Sequence, residues 1–157
     1  MKIIYEEENK FQYKRSPDIK PWSAAEEKRT QETSQMVIDY ENAGDGEWRE
    51  YYDADYEEVF TQTLPCNEYG IRRTIDNYVE ATIAKEWFFY NRNYDENGNR
   101  VKKGKKVTGS TFYTVAIDGD MLDENVAGYK TLADAKHALE LELDFMKQRE
   151  TWYRNNK

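Results

Sequence analysis

The chain has 157 residues, 31 of them acidic and 23 basic, giving a net charge of −8 and a pI near 4.9. That length suits one domain with a real core, and the acidity disfavours wide contact with phosphate backbones or anionic membranes except through a local basic patch. Leu, Ile, Val and Phe together number only 27, so the 13 Tyr and 4 Trp must supply much of the apolar area, at roughly 150–250 Å² buried per ring.

In chain order, "KIIY" near the start has the composition of a short strand, and the prolines of "SPDIKPWS" break the pattern after it. "SAAE" at 23–26 is a capping-box signature, with Ser23 accepting from a backbone N–H and Glu26 reaching back. It predicts a helix to about Glu41 that packs through Met36, Val37 and Tyr40 and is closed by "NAGDG" at 42–46. The next stretch, "EWREYYDADYEEVF" (47–60), holds six carboxylates and five aromatic rings. A helical wheel gathers Trp48, Tyr51, Tyr52, Tyr56, Val59 and Phe60 on one side and most of the acids on the other, which predicts a second acidic helix stopped by "LPCN".

Residues 71–90 fit both periods, but the β-branched and aromatic content of "EWFFY" favours a strand from about Val79. "NYDENGNRVKKGKKVTGS" is expected to connect a hairpin with its turn at Asn97–Gly98. "TFYTVAI" (111–117) alternates clearly and predicts a strand, "DGDMLDEN" a loop, and "VAGY" the start of another short strand. "TLAD" (131–134) is a second capping signature. Leu132, Ala135, Leu139, Leu143 and Met146 recur at helical spacing after it, so a helix to about Arg149 is expected, packed on a sheet carrying Phe112 or Tyr113. These elements make a single α+β domain over 1–157: an antiparallel hairpin or meander with acidic N-terminal helices and a C-terminal helix.

Charge is unevenly placed. Residues 23–60 hold 12 acidic and 3 basic side chains, residues 118–150 hold 9 and 4, and "RVKKGKK" (100–106) holds five basic side chains and no acidic one. The acidic stretch has two readings. As a solvated face it costs little, about 0.2–0.5 kcal/mol per like-charge neighbour, against a domain stability of roughly 5–15 kcal/mol. As a functional face, Glu47, Glu50, Tyr51, Asp53, Glu57 and Glu58 form a phosphate-mimicking or acidic docking surface with tyrosine anchors. Arg100, Lys102, Lys103, Lys105 and Lys106 are the candidate nucleic-acid contacts, through a salt-sensitive hairpin tip.

Metal, cofactor and nucleophile signatures are weak. "DENGN" places Asp95, Asn97 and Asn99 at alternate positions, but its glycine is misplaced for a calcium loop, and Lys106 stands where a glutamate belongs. Asp118, Asp120, Asp123 and Glu124 form an acidic loop of a common kind. His137, the one histidine, is expected at the surface, and Cys66 reads as structural. No cofactor, metal or catalytic group is expected. The lone cysteine excludes an intrachain disulfide and fits a reducing, intracellular setting. The N-terminal apolar run is too short for a signal peptide, and no stretch suits a membrane span.

An acidic chain carrying "EWREYYDADYEEVF" resembles the phage-encoded inhibitors of bacterial defence, the anti-CRISPR and DNA-mimic antirestriction proteins. "GYKTLADAKHALELEL" (128–143) is similar to the strand–turn–helix endings of many small phage and mobile-element proteins. The resemblance implies a non-enzymatic inhibitor of a bacterial nucleic-acid-binding protein, such as a CRISPR effector or restriction enzyme, acting in the host cytoplasm without cofactor. The basic "KKGKK" departs from the strongest DNA mimics. Two other classes stand beside this one: a structural or adaptor protein using its aromatic patches, and a small enzyme using carboxylates such as Asp118 and Asp120.

Overall fold

The computed structural model describes residues 10–42, 52–72, 76–90, 97–100, 107 and 109–156. The expectations for "KIIY", for the Gly44–Gly46 stop and for most of the connection after residue 90 lie outside them. Helix α1 (Ala24–Asn42) begins where the capping box places it: the Glu26 amide donates to Ser23 Oγ, and the Ser23 amide donates to Glu26 Oε1, both at 3.1 Å. Val37 is buried, with Met36 and Tyr40 packed around it.

The second helix expected over 47–60 is a strand instead. β1 (Tyr52–Pro65) runs antiparallel to β2 (Tyr78–Tyr90), from Tyr52 opposite Tyr90 to Pro65 opposite Tyr78. The misreading has a physical cause. Positions 53–59 are exposed on both faces, so burial imposes no two-residue alternation, and the chance helical grouping of the rings dominated. In a helix, Asp53 and Glu57 would stack as like charges one turn apart, and aspartate is a poor helix-interior residue. In the strand, Glu57 lies opposite Lys85, and the aromatic and β-branched residues of β2 form a well-suited partner surface.

Beyond β1 come the single turn α2 (Cys66–Tyr69), then β2, β3 (Phe112–Ile117), the two-residue β4 (Asp120–Met121) and α3 (Leu132–Asn155). The strands form a four-stranded antiparallel sheet in the order β1-β2-β3-β4, and the protein is α+β. β2 starts within one residue of expectation, and β3 is the alternating stretch. "DGDMLDEN" is more ordered than a plain loop. Asp118 and Gly119 both have positive φ (52° and 81°), the mirror-image turn that suits a two-residue hairpin. "VAGY" supplies only an isolated bridge, Tyr129 to Tyr113. α3 is capped as expected, with the Asp134 amide donating to Thr131 Oγ1 at 3.0 Å, and it extends to Asn155 rather than fraying near Arg149.

One core lies between α3 and the sheet. Val79, Ala81 and Ile83 alternate onto the same side of β2, and Leu64 and Val115 join them from the neighbouring strands. Ala135, Leu139 and Leu143, four residues apart, press onto that side from α3. A one-residue bulge in β1 at Val59 resets the pleat, so that Phe60 and Leu64 face this core opposite Ile83 and Val79. Leu132, Met146 and Tyr113 are partly buried at its margin. A second cluster joins Val37 to Phe88 and Phe112. Phe88 is five residues from Ile83, and Phe112 three from Val115, so the pleat puts both rings on the opposite face. Tyr40 stacks on Phe88 at 5.0 Å, and Phe88 on Phe112 at 5.7 Å. The sheet is thus covered by α3 on one side and, at one end, by the second half of α1 on the other. Gly128 is needed beside this cluster, because a Cβ there would sit 2.7 Å from the Phe112 ring.

Polar ties fix the helices. Arg29 of α1 grips Asp134 in the first turn of α3 through two hydrogen bonds of 2.9 Å, with the carboxylate buried. The segment before α1 is strapped along α3. Tyr13 Oη and the Ser16 amide and hydroxyl all donate to Asp144, and Phe11 sits edge-on to Phe145 and Trp152. Burial alone would raise the Asp144 pKa, but these hydrogen bonds, with another from Gln148, outweigh it and hold the pKa at about 2.

Leu139 is 2% exposed at the centre of the main core. Leu139→Ala should therefore lower the unfolding free energy by about 2–5 kcal/mol in urea titrations, whereas a loss under about 0.5 kcal/mol would show that α3 does not seat on the sheet there. Asp144→Asn should cost about 1–3 kcal/mol at pH 7. Because the folded pKa of Asp144 lies below its ordinary 3.8, the difference between the two proteins should vanish as the pH falls from about 4 towards 2.

Candidate protein-interaction face

Among the described residues β1 is one edge of the sheet and β4 the other, and the alternation of β1 sorts the acidic stretch. Asp53, Asp55 and Glu57 fall on one face and Glu58 on the other, all of them exposed. Across the ladder from the three carboxylates stand Phe89, Trp87 and Lys85 in turn, with both rings half-buried. The stripe therefore carries acids along its outer edge and aromatic rings one strand inward. Four residues of strand extend about 14 Å, comparable to the axial run of about four nucleotides in one DNA strand.

Two of these acids also act on the edge itself. Asp53 Oδ1 accepts from the Ala54 amide, and Asp55 Oδ1 from the Tyr56 amide, both at 2.8 Å. Those amides are thus engaged by side chains rather than offered to another strand, a common protection of edges against pairing. Tyr56 projects from the other face at 66% exposure.

The six sequence-nominated docking residues are only partly brought together. Asp53 and Glu57 share a face as expected, Glu58 does not, and Glu47, Glu50 and Tyr51 lie outside the described residues. Asp55, which on a helix would have intruded on the apolar side, instead lies between Asp53 and Glu57 as the centre of the stripe. Of the basic tip, Arg100 is exposed, and Lys102, Lys103, Lys105 and Lys106 lie outside the described residues.

His137 departs from its expected surface position. Its ring is half-buried between α3 and the start of α1, with Nδ1 2.5 Å from Glu26 Oε2 and Nε2 2.7 Å from the Lys20 carbonyl. Both nitrogens face acceptors, an arrangement that only the doubly protonated ring satisfies. Burial lowers the His137 pKa, but the bonds to Glu26 and Lys20 and the nearby acidic charge more than offset it, and the net shift is upward. For Glu26, burial is likewise outweighed, by His137 and Ser23, and its pKa falls. Cys66 is buried at the start of α2. Asp118, Asp120, Asp123 and Glu124 are exposed around the β3–β4 turn. Among the described residues, no group of three or more His, Cys, Asp or Glu side chains is placed to hold a metal ion, and no helix is long and apolar enough to cross a membrane.

No protein-family model, no curated protein and no solved structure matches this chain.

The His137–Glu26 tie gives a signed pH dependence. The raised histidine contributes fully below its ordinary pKa of 6.5 and loses its contribution as the pH rises through the folded value. The lowered glutamate contributes above 4.5 and loses its part as the pH falls through its folded value. His137→Gln should therefore be most destabilising between these limits and less so at pH 9, as followed by urea unfolding. An equal loss at pH 5.5 and pH 9 would contradict a charged histidine.

Proposed function

We propose that the protein is a non-enzymatic inhibitor of a bacterial nucleic-acid-binding defence protein, of the anti-CRISPR or antirestriction type. In this reading the Asp53–Asp55–Glu57 stripe occupies a basic groove that otherwise holds nucleic acid. The observation that carries the proposal is the stripe itself: three exposed carboxylates in register on a sheet edge, with Trp87 and Phe89 one strand inward. Carboxylates at this spacing complement a row of Lys and Arg, and the adjoining rings offer the rigid area on which binding hot spots are built. Tyr56 on the opposite face would allow a partner to clasp the ribbon from both sides.

The competing assembly reading would use the same edge for strand addition between copies. The engagement of the Ala54 and Tyr56 amides by Asp53 and Asp55 argues against it.

The test is target cleavage by a panel of purified CRISPR effectors and restriction enzymes, with and without the protein. Inhibition should be stoichiometric, relieved by added target nucleic acid, and steeply weakened between 50 and 200 mM salt. The triple variant Asp53→Lys, Asp55→Lys, Glu57→Lys should lose at least about tenfold in affinity, with a stability change of only about 0.5 kcal/mol per site. A variant that stays folded and inhibits as well as the parent at low salt would remove the stripe from the mechanism. Concentration-dependent self-association without inhibition would favour assembly.

A further inference from the structure

At the far edge of the sheet from β1, a cleft of about 650 Å³ opens between α1, the segment after β4 and α3, within the size range of small-ligand sites. Its walls include Trp22, Tyr129 and Phe145, and its rim carries Asp123 and Glu142. Trp22 is fixed in place, since its indole N–H donates to Glu27 at 2.9 Å and its ring meets Tyr129 edge-on at 6.2 Å.

Two carboxylates of this cleft have donors already, Glu27 in Trp22 and Gln31 and Asp123 in the Asn125 amide, whereas Glu142 differs. Glu142 is half-buried and has no hydrogen-bond or ion-pair partner among the described residues. Burial raises its pKa, Arg149 opposes the rise, and Asp123 adds to it. Arg149 itself lies over the Phe145 ring at 5.1 Å. The Tyr129 phenol is pushed up to about 12, first by burial and then by the charges of Asp123, Glu142 and Glu27, so three carboxylates act on one spot. Thr30, 5% exposed, lines the same cleft, and its buried hydroxyl has no hydrogen-bond partner among the described residues. Buried hydroxyls are normally bonded, so an orphan beside a cavity leaves room for a donor from an occupant.

Aromatic walls beside the unbonded Glu142 carboxylate suit an organic cation, which can stack on the rings and donate to the carboxylate at once. A guanidinium fits the combination best. It is planar, weakly hydrated, stacks on aromatic faces and carries five N–H donors with no acceptor. We propose that this cleft, formed by Trp22, Tyr129, Asp123, Glu142 and Thr30, is a binding site for an arginine-type guanidinium, either of a free small molecule or of a peptide side chain. The site is independent of the β1 stripe and stands whether or not that stripe docks a partner.

The test is isothermal titration calorimetry of the full chain at constant ionic strength, with free arginine, N-acetyl-arginine amide and a short arginine-containing peptide as probes. Saturable binding is expected, stronger for the arginine probes than for sodium-matched tetramethylammonium. Glu142→Gln should weaken it by about tenfold, and Thr30→Val, which keeps the shape and removes the hydroxyl, by several-fold. Both variants should retain the far-UV circular dichroism of the parent. Binding of free arginine would assign a small-molecule site, and binding only of the capped or peptide forms a side-chain receptor. Absence of saturable binding by every arginine probe, or affinities unchanged in folded Glu142→Gln and Asp123→Asn proteins, would overturn the proposal.

Discussion

The antiparallel pairing of β1 with β2 is the constraint on which the rest of this molecule depends. Fourteen residues of β1 lie along thirteen of β2, and the two halves of that ribbon meet different fates. From Phe60 to Pro65, β1 contributes Phe60 and Leu64 to the core beneath α3. From Asp53 to Val59, the same strand runs beyond that core with both faces exposed. The bulge at Val59 divides the two regimes by resetting the pleat. Were the strand to slip by one residue, Leu64 and Phe60 would turn away from the core and the carboxylates at 53, 55 and 57 would change face. Core burial therefore fixes which carboxylates share a face at the free end.

The acidic residues divide accordingly. Asp134, Asp144 and Glu26 each have fixed partners, in Arg29, in the Tyr13–Ser16 strap and in His137. They hold α1, the N-terminal segment and α3 as one packed unit, and removing a partner would strand a carboxylate in a desolvated place. The stripe on β1 is exposed, and its negative charge supplies the field that the proposed docking uses.

The legible parts of the sequence are those governed by local chemistry. The Ser23–Glu26 capping box and the Thr131 N-cap placed α1 and α3, because a Ser or Thr hydroxyl at a helix start accepts from the amide three residues on whatever else surrounds it. β3 was legible because Tyr113, Val115 and Ile117, two residues apart, all turn to the main core, which sets an alternating pattern. β1 was not, because nothing covers either face of 53–59, and its pairing with β2 is invisible to a local window. The Asp118–Gly119 turn was legible in principle, since Asp-Gly between apolar residues is a strong hairpin signal, but it was absorbed into a longer acidic loop. His137 and Asp144 depend on contacts more than 100 residues away in sequence, and no spacing rule reports those. Of the candidate face, the excess of acids and rings was visible, but their grouping was not: the strand puts Asp55 between Asp53 and Glu57 on one face and Glu58 on the other.

The central claim is that this exposed acidic ribbon, rather than the basic segment or the helical faces, is what the partner touches. Amide hydrogen exchange of the protein, alone and mixed with a purified candidate target, tests it directly. The account predicts added protection concentrated in peptides covering 52–58 and 85–89, with α3 unchanged. Protection confined to peptides covering 97–110, with 52–58 exchanging as in the free protein, would contradict it.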